Sequence, residues 1–335
     1  MTADADQNTP QIRVIVVNYN AGEMLKRCLE ALACQTIENF EAVVVDNASK
    51  DGSLVGAVPD DRRFSVIELD QNTGFAAANN RGAGGCRAPW IATLNPDAFA
   101  EPDWLEKLLD AARRYPGTAM FGSTQIDANN EHRTDGSGDA LFATGLAWRG
   151  NHGHPIDDLP EEGETFGPCA AAAMYRTEDF NAAGGFDERF FCYLEDVDLA
   201  FRIRLMGGRC VQVRDAVVRH VGSAISGRTS DFARYHSARN GIWLFAKNMP
   251  DPLFWILTPF HAAMQAALLL WAAMRGHPLP VLRGQAAGIK GAPEIWRARR
   301  KIQEKRRAPW TEIARVLTWS PFKLLRRDHD VRPLG

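Results

Sequence analysis

Three carboxylates fall within four positions, Glu195, Asp196 and Asp198, inside the run GGFDERFFCYLEDVDL at 184–199. The apolar spacing of Val197, Ala200, Phe201 and Leu205 predicts a helix that starts at the cluster and stops at Gly207-Gly208. The acids then sit in its first turn, where unpaired N–H groups and the backbone dipole favour negative charge. A carboxylate placed so can take the proton of an attacking hydroxyl. It can equally well only cap the helix, with Asp198 and Arg202 as an i,i+4 surface pair. For Asp196 the helix start lowers the pKa and the acids Glu195 and Asp198 raise it, a balance that leaves the group ionised at neutral pH.

A second set of polar residues follows strand-like runs. Asn18 and Asn20, Asp46 and Asn47, Asn72, and Asn95 with Asp97 each stand at or just past the end of an apolar segment, and His220 closes another at 211–221. A single Asp or Asn there is an ordinary turn former. Several at neighbouring strand ends converge on the crevice where open α/β sheets bind ligands. Neither G-x-x-x-x-G-K-[ST] nor a G-x-G-x-x-G after the first strand is present, which disfavours the P-loop and the dinucleotide fingerprint. A nucleotide would then be held by side-chain carboxylates and a divalent metal on its diphosphate. Asp97 with substrate phosphates is enough protein ligand for that, and a neutral His220 could complete the shell.

The elements that must position these groups alternate. Near-continuous β-branched runs at 12–19 and 40–45 read as strands buried on both faces, with further strands at 64–69 and 90–94. Helices are expected at 22–32, 74–81 and 101–115. Such alternation predicts a doubly wound, mostly parallel α/β sheet with flanking helices. Residues 127–164 are rich in Gly, Asn, Asp and His and read as loops and short strands over the sheet edge, with His132, His152 and His154 exposed or structural. The small residues of 167–176 suit close packing beside a pocket.

The 335 residues allow one large domain with an appendage, and 45% hydrophobic residues suffice for a core. Six scattered cysteines read as reduced thiols, and the polar N-terminus shows no export signal. The net charge of −2 hides a split. From Arg275 onward 15 Lys/Arg face 5 Asp/Glu, whereas the body carries 24 against 36. A basic tail seeks an anionic partner. Residues 253–274 are almost wholly apolar, and Trp and basic residues follow together at 296–301 and 305–307, a pattern for contact with anionic lipid without a full span. No recognition motif supports nucleic-acid binding.

Taken together the motifs VIVVNYN (14–20), VVVDNASKDGS (43–53), NTGFAAANNRG (72–82), TLNPD (93–97), GGFDERFFCYLEDVDL (184–199) and HVGS (220–223) resemble the inverting glycosyltransferases of family two, in particular their rhamnosyltransferase-like branch, over about 12–247. The resemblance implies the GT-A fold and a nucleotide-diphosphate sugar donor. It implies that Asn18 and Asp46, with Asn20, Asn47 and Asn95, lie on the nucleotide side, and Asn72 and Gly74 near the diphosphate. Asp97 corresponds to the last acid of the D-x-D metal motif, whose first acid is here Asn95. Asp196 corresponds to the base and His220 to a further ligand of Mg²⁺ or Mn²⁺. Glu195, Asp198, Gly167 and Arg239 are acceptor-side candidates. The segment 234–243, RYHSARNGIW, lacks the Q-x-x-R-W of processive synthases, which favours addition of one sugar or a few.

The expected organisation is a disordered N-terminus (1–10), a catalytic domain (11–248) with a nucleotide-binding half (11–125) and an acceptor half (126–248), and a helical, basic, membrane-associating extension (249–335). The expected protein is peripheral on the inner face of the cytoplasmic membrane, acts on a lipid-linked or glycan acceptor, and has its homo-oligomerisation left open. A sugar nucleotidyltransferase would carry a Gly-rich, Arg/Lys-bearing loop where NYNAGE stands at 18–23. An inactive scaffold fits poorly with the presence of Asp46, Asp97, Asp196 and His220.

Overall fold

Strand and helix alternate through the first half of the computed structural model, which describes residues 9–222 and 230–334. Most of the expected disordered segment 1–10, and Ser223 of the HVGS motif, lie outside the described residues. The order is β1 (Ile12–Asn18), α1 (Glu23–Ala33), β2 (Phe40–Asp46), β3 (Phe64–Glu68), α2 (Gly74–Ala83), β4 (Trp90–Leu94), β5 (Ala98–Ala100), α3 (Trp104–Arg114) and β6 (Met120–Asp127). The loop-rich stretch then contributes β7 (Thr134–Ser137), β8 (Asp139–Leu141), β9 (Ala147–Arg149) and β10 (Gly163–Glu164). After it come β11 (Ala172–Arg176), α4 (Thr177–Ala183), α5 (Glu195–Leu205) and β12 (Cys210–His220). Six helices end the chain: α6 (Asp231–Asn248), α7 (Leu253–Met274), α8 (Pro278–Lys290), α9 (Ala292–Glu304), α10 (Trp310–Val316) and α11 (Pro321–Arg326).

One sheet runs β10-β12-β6-β11-β4-β1-β2-β3, with β5 added to β12 and β7 to β6, while β8 and β9 form a separate hairpin. The ladders β4-β1-β2-β3 and β6-β12 are parallel, and β11 is inserted antiparallel between β4 and β6. The continuous apolar run of β1 has a simple cause. Ile12, Val14 and Val16 pack beside Leu25, Leu29 and Leu32 of α1 and Leu105 and Leu108 of α3, while Ile15 and Val17 meet the cluster under α2 and α5 on the other face. The strand expected at 64–69 is β3, which forms the sheet edge, and its Ser65, Val66 and Glu68 are exposed.

A third apolar cluster seals the tail to the body. Phe201 and Leu205 of α5 meet Leu244 and Phe245 of α6, Leu253 and Leu257 of α7, and Ile313 and Val316 of α10. The boundary expected at 248/249 coincides with the end of α6, yet the later chain returns twice to the body. Thr318 bridges to Phe142, and Arg332 to Glu164. In α7 Leu253, Phe254, Leu257 and His261 are buried, whereas Trp255, Ile256, Phe260, Leu270, Trp271 and Met274 are exposed.

Candidate active site

The parallel ladders carry the Asn and Asp residues of β1 and β2 to one end of the sheet, with Asn18 directly opposite Asp46. Asn18 is fully buried, and its Nδ2 donates to Asp46 Oδ1 at 2.7 Å and to the hydroxyls of Ser53 and Ser49 at 2.9 and 3.1 Å. It therefore fixes the 46–53 loop from beneath. Asn20, exposed, accepts from Lys50 N–H at 2.8 Å and ties the same loop to β1. Asn47 Oδ1 accepts from Thr73 N–H at 2.8 Å, and its Nδ2 donates to Asn72 Oδ1 at 2.9 Å, so the turn before α2 hangs on β2. Gly74 answers a close approach: with φ +86°, a Cβ there would meet the Phe191 carbonyl and ring within 2.7 Å. The α2 start is thus pressed against the acidic motif.

Beside this loop network lies an ion-paired centre. Asn95 and Asp97 occupy the turn between β4 and β5, and the β5–β12 ladder sets His220 opposite Ala98. His220 Nε2 is 3.2 Å from Asp97 Oδ1 and 3.5 Å from Asn95 Nδ2, and its Nδ1 is 2.7 Å from Asp135 Oδ2. Asp97 and His220 are almost fully buried. Burial disfavours the imidazolium, but the carboxylates of Asp135 and Asp97 outweigh it and raise the His220 pKa. A carboxylate and an imidazole Nε2 facing each other, with Nδ1 held by a second carboxylate, make the donor set that suits a divalent cation. Arg149 pairs with the same Asp135 oxygen, its Nη1 3.5 Å from His220 Nδ1.

Asp196 stands in the first turn of α5, as expected, and keeps partial solvent contact. Its Oδ2 accepts from Ala170 N–H at 3.2 Å and its Oδ1 from Val197 N–H at 2.8 Å. Burial raises its pKa, against those N–H groups and Arg149, so desolvation rather than the neighbouring acids opposes its charge. The turn before it is unusual: Phe191, Tyr193 and Leu194 have φ of +64°, +72° and +66°. Non-glycine residues there cost about 1–3 kcal/mol each unless held in place. The clamp is Asn240 of α6, whose buried Nδ2 lies 2.7–3.0 Å from the carbonyls of Phe190, Cys192 and Tyr193. Asn240→Ala removes the side-chain donor that these three carbonyls share and is expected to cost about 2 kcal/mol. A denaturant titration checks the cost, and a parallel fall in activity checks that the turn holds the site.

The acceptor-side candidates make packing and polar contacts within the protein. Asp198 is wholly buried and bonded to Arg202, Lys247 and Asn248, so the supposed surface pair is a core ion cluster. Glu195 is 5% exposed, and burial followed by the charge of Asp196 raises its pKa well above the usual range. Arg239 donates to the carbonyls of Arg189 and Phe190 and lies over the Trp243 ring, backing the strained turn beside Asn240. At Gly167 a Cβ would come within 2.5 Å of Ala200 Cβ, so its smallness serves helix packing. Two residues without an assigned role in the sequence, Asp139 and Cys169, join Asp196. Asp139, Cys169 and Asp196 have ligand atoms within 4.8 Å of one another, and Arg149 is the cation among them. Arg149's charge there makes that cluster a poor cation site. The signal was the run TDGSGD at 134–139, read only as loop.

The sheet order and the flanking helices define a GT-A type of fold, with the carboxylate–imidazole centre at its strand ends. The chain belongs to glycosyl transferase family 2, whose sequence model matches residues 13–184. It is a glycosyltransferase. It is 28% identical over 298 residues to the N-acetylglucosaminyl-diphospho-decaprenol L-rhamnosyltransferase of Mycobacterium tuberculosis, covering 80% of this chain and 95% of that one. Over 114 residues it is 36% identical to the succinoglycan biosynthesis protein ExoO of Rhizobium meliloti, 33% of this chain and 32% of that one. Two solved structures share the fold. The mannosyltransferase PcManGT from Pyrobaculum calidifontis, in complex with GDP-Man and Mn²⁺, superposes with TM-score 0.51 at 19% identity, over 91% of this chain and 86% of that one. GalNAc-T7, with UDP, GalNAc and Mn²⁺, gives 0.56 at 16% over 74% and 49%.

Proposed function

We propose that the protein is an inverting, metal-assisted transferase that moves one sugar, best L-rhamnose from dTDP-rhamnose, to a lipid-linked or glycan acceptor in cell-surface glycan synthesis. The observation that carries the reading is Asp196, a carboxylate held by two backbone N–H groups in the first turn of α5, in a chain that also pairs Asp97 with His220 at the strand ends. The acceptor hydroxyl attacks the anomeric carbon, its proton passes to Asp196, and the bond to the diphosphate oxygen breaks with its electron pair leaving on the nucleoside diphosphate. Asp97 and His220 would hold Mg²⁺ or Mn²⁺, which supplies charge neutralisation for that leaving group. Asp135 orients His220, and the loop tied by Asn18, Asp46, Asn47 and Asn72 shapes the nucleotide side. The rhamnosyl donor is supported by the Mycobacterium tuberculosis relative alone.

The tail supports work at a membrane surface. Among the described residues α7 is the one helix long and apolar enough to cross a bilayer. Its first half is packed on α5 and α6 through Leu253, Leu257 and His261, which favours lying in the interface over a span. The later helices expose Leu279, Leu282, Ile289, Trp296, Trp310 and Phe322 as well as the basic Arg283, Lys290, Arg297 and Arg300. The test is donor turnover with dTDP-, UDP- and GDP-sugars, Mg²⁺ or Mn²⁺, and membranes as the acceptor source. Turnover of dTDP-rhamnose with inverted product is the expected result. Turnover of another donor would overturn the sugar assignment, and silence with all donors from folded protein would overturn the reading as a whole.

A further inference from the structure

Where α9 meets α5 and the end of α4, the fold leaves a cavity of about 380 Å³, the size of a small-molecule site. One helix face supplies a wall. Ala298, Lys301, Ile302 and Lys305 follow the i, i+3, i+4, i+7 stripe of α9 and the residue that caps it. Arg202 and Met206 line the cavity from α5 and its end. It is separate from the nucleotide side. None of Asn18, Asp46, Asp97, Asp196 and His220 lines it, and Arg202 stands about 9 Å along α5 from Asp196.

The charges of the lining do not balance. Arg189, Arg202, Lys247, Lys301 and Lys305 stand there against Asp187 and Glu188. Asp187 pairs with Arg189 and Lys247, and Asp198 with Arg202 and Lys247. Glu188 is exposed and accepts from Asn80 Nδ2 at 3.0 Å. Lys301 and Lys305 have no ion pair among the described residues. Arg202 is 7% exposed and donates Nε to Asp198 and Nη1 to Ala183 O, while its buried Nη2 has no partner. A buried donor without an acceptor is costly to keep and marks where an acceptor belongs. The carbonyls at the end of α4 do not fill that role. Ala183 O is taken by Nη1 of Arg202, and Asn181 O and Phe180 O by the N–H groups of Gly184 and Gly185.

We propose that the cavity is a second ligand site, for a phosphate ester whose charge is met by Lys301, Lys305 and Arg202 and whose carbon skeleton lies against Met206 and Ile302. Arginine and lysine are the side chains that recognise phosphate oxygens, through charge-assisted hydrogen bonds. The ester has two sources. α9 also exposes Trp296, Arg297 and Arg300, which suits a lipid headgroup. A soluble glycerol or sugar phosphate offers the same chemistry.

The test compares two charge-matched variants of the full chain. Lys301→Gln with Lys305→Gln alters the cavity, and Arg297→Gln with Arg300→Gln removes the same charge from α9 but leaves the lining intact. All four side chains are exposed, so neither variant endangers the fold. The soluble arm titrates glycerol 3-phosphate without divalent ion and follows Tm, with sodium chloride of equal ionic strength as the blank. The lipid arm measures co-sedimentation with phosphatidylcholine vesicles that contain or lack phosphatidylglycerol. The expected result is a saturable response in one arm, weakened about tenfold or more in the lysine variant and kept in the arginine variant. The arm that responds names the source. Silence in both arms, a response that the lysine variant keeps, or an equal loss in both variants would overturn the proposal. Donor turnover is read in neither arm, so the outcome stands apart from the assignment of the base.

Discussion

Asp196→Asn is expected to lower turnover by about 10²–10⁴-fold and to leave donor affinity within a few-fold of wild type. The amide keeps the shape and can still face Ala170 N–H, but it cannot take a proton. Donor affinity is set elsewhere, by the loop anchored on Asn18, Asp46 and Asn47 and by the Asp97–His220 centre. The same substitution should not destabilise the fold. A carboxyl whose folded pKa lies above its unfolded one binds its proton more tightly when folded, so its contribution to stability falls as pH rises through that window. At neutral pH the charged Asp196 is therefore a cost, and Asn removes it. Single-turnover kinetics, donor titration and a denaturation curve at pH 7 check the three parts. An active mutant with normal kcat would sink the assigned mechanism, and an inactive mutant that has lost stability would say nothing for catalysis.

How far the site was legible depended on the kind of signal. Groups fixed by strand ends were readable, because an apolar run followed by Asp or Asn states both the strand and its polar terminus; Asp46, Asp97 and His220 fall where the runs put them. Groups fixed by tertiary register were not. Asp135, Asp139 and Arg149 lie on strands of three or four residues, too short for a periodic signal, and the ladder that sets Asp139 against Arg149 joins positions ten apart across a loop. On α6 the reading chose Arg239, the conspicuous charge, and missed its neighbour Asn240, the residue turned inward to the strained turn. Polarity alone does not tell which side of a helix meets a buried backbone. The acidic motif shows the same limit: helix start and stop follow from spacing, but which of three acids faces the crevice follows from what α6 brings to the other side.

That last point makes Asp198→Ala the complementary experiment. Asp198 lies two residues from Asp196 on the same helix turn, yet it is wholly buried, accepting from Arg202 Nε at 2.9 Å, from Asn248 Nδ2 at 2.7 Å and from Lys247 Nζ at 2.7 Å. Lys247, also wholly buried, has its second carboxylate in Asp187, and burial lowers its pKa against both acids. Truncating Asp198 takes away the carboxylate that Arg202 pairs with and leaves Lys247 only Asp187, which also pairs with Arg189; removal of one partner from a buried pair typically costs about 3–5 kcal/mol. The expected result is a large drop in the denaturant midpoint. Activity per folded molecule should be nearly retained at temperatures where the protein remains native. Replacing the whole cluster with apolar residues of similar volume should cost far less than the single truncation, because no charge is then left unpaired. A stable but inactive Asp198→Ala would instead return Asp198 to the acceptor side. Stability loss without activity loss separates the acid that joins α5 to α6 from the acid that does the chemistry.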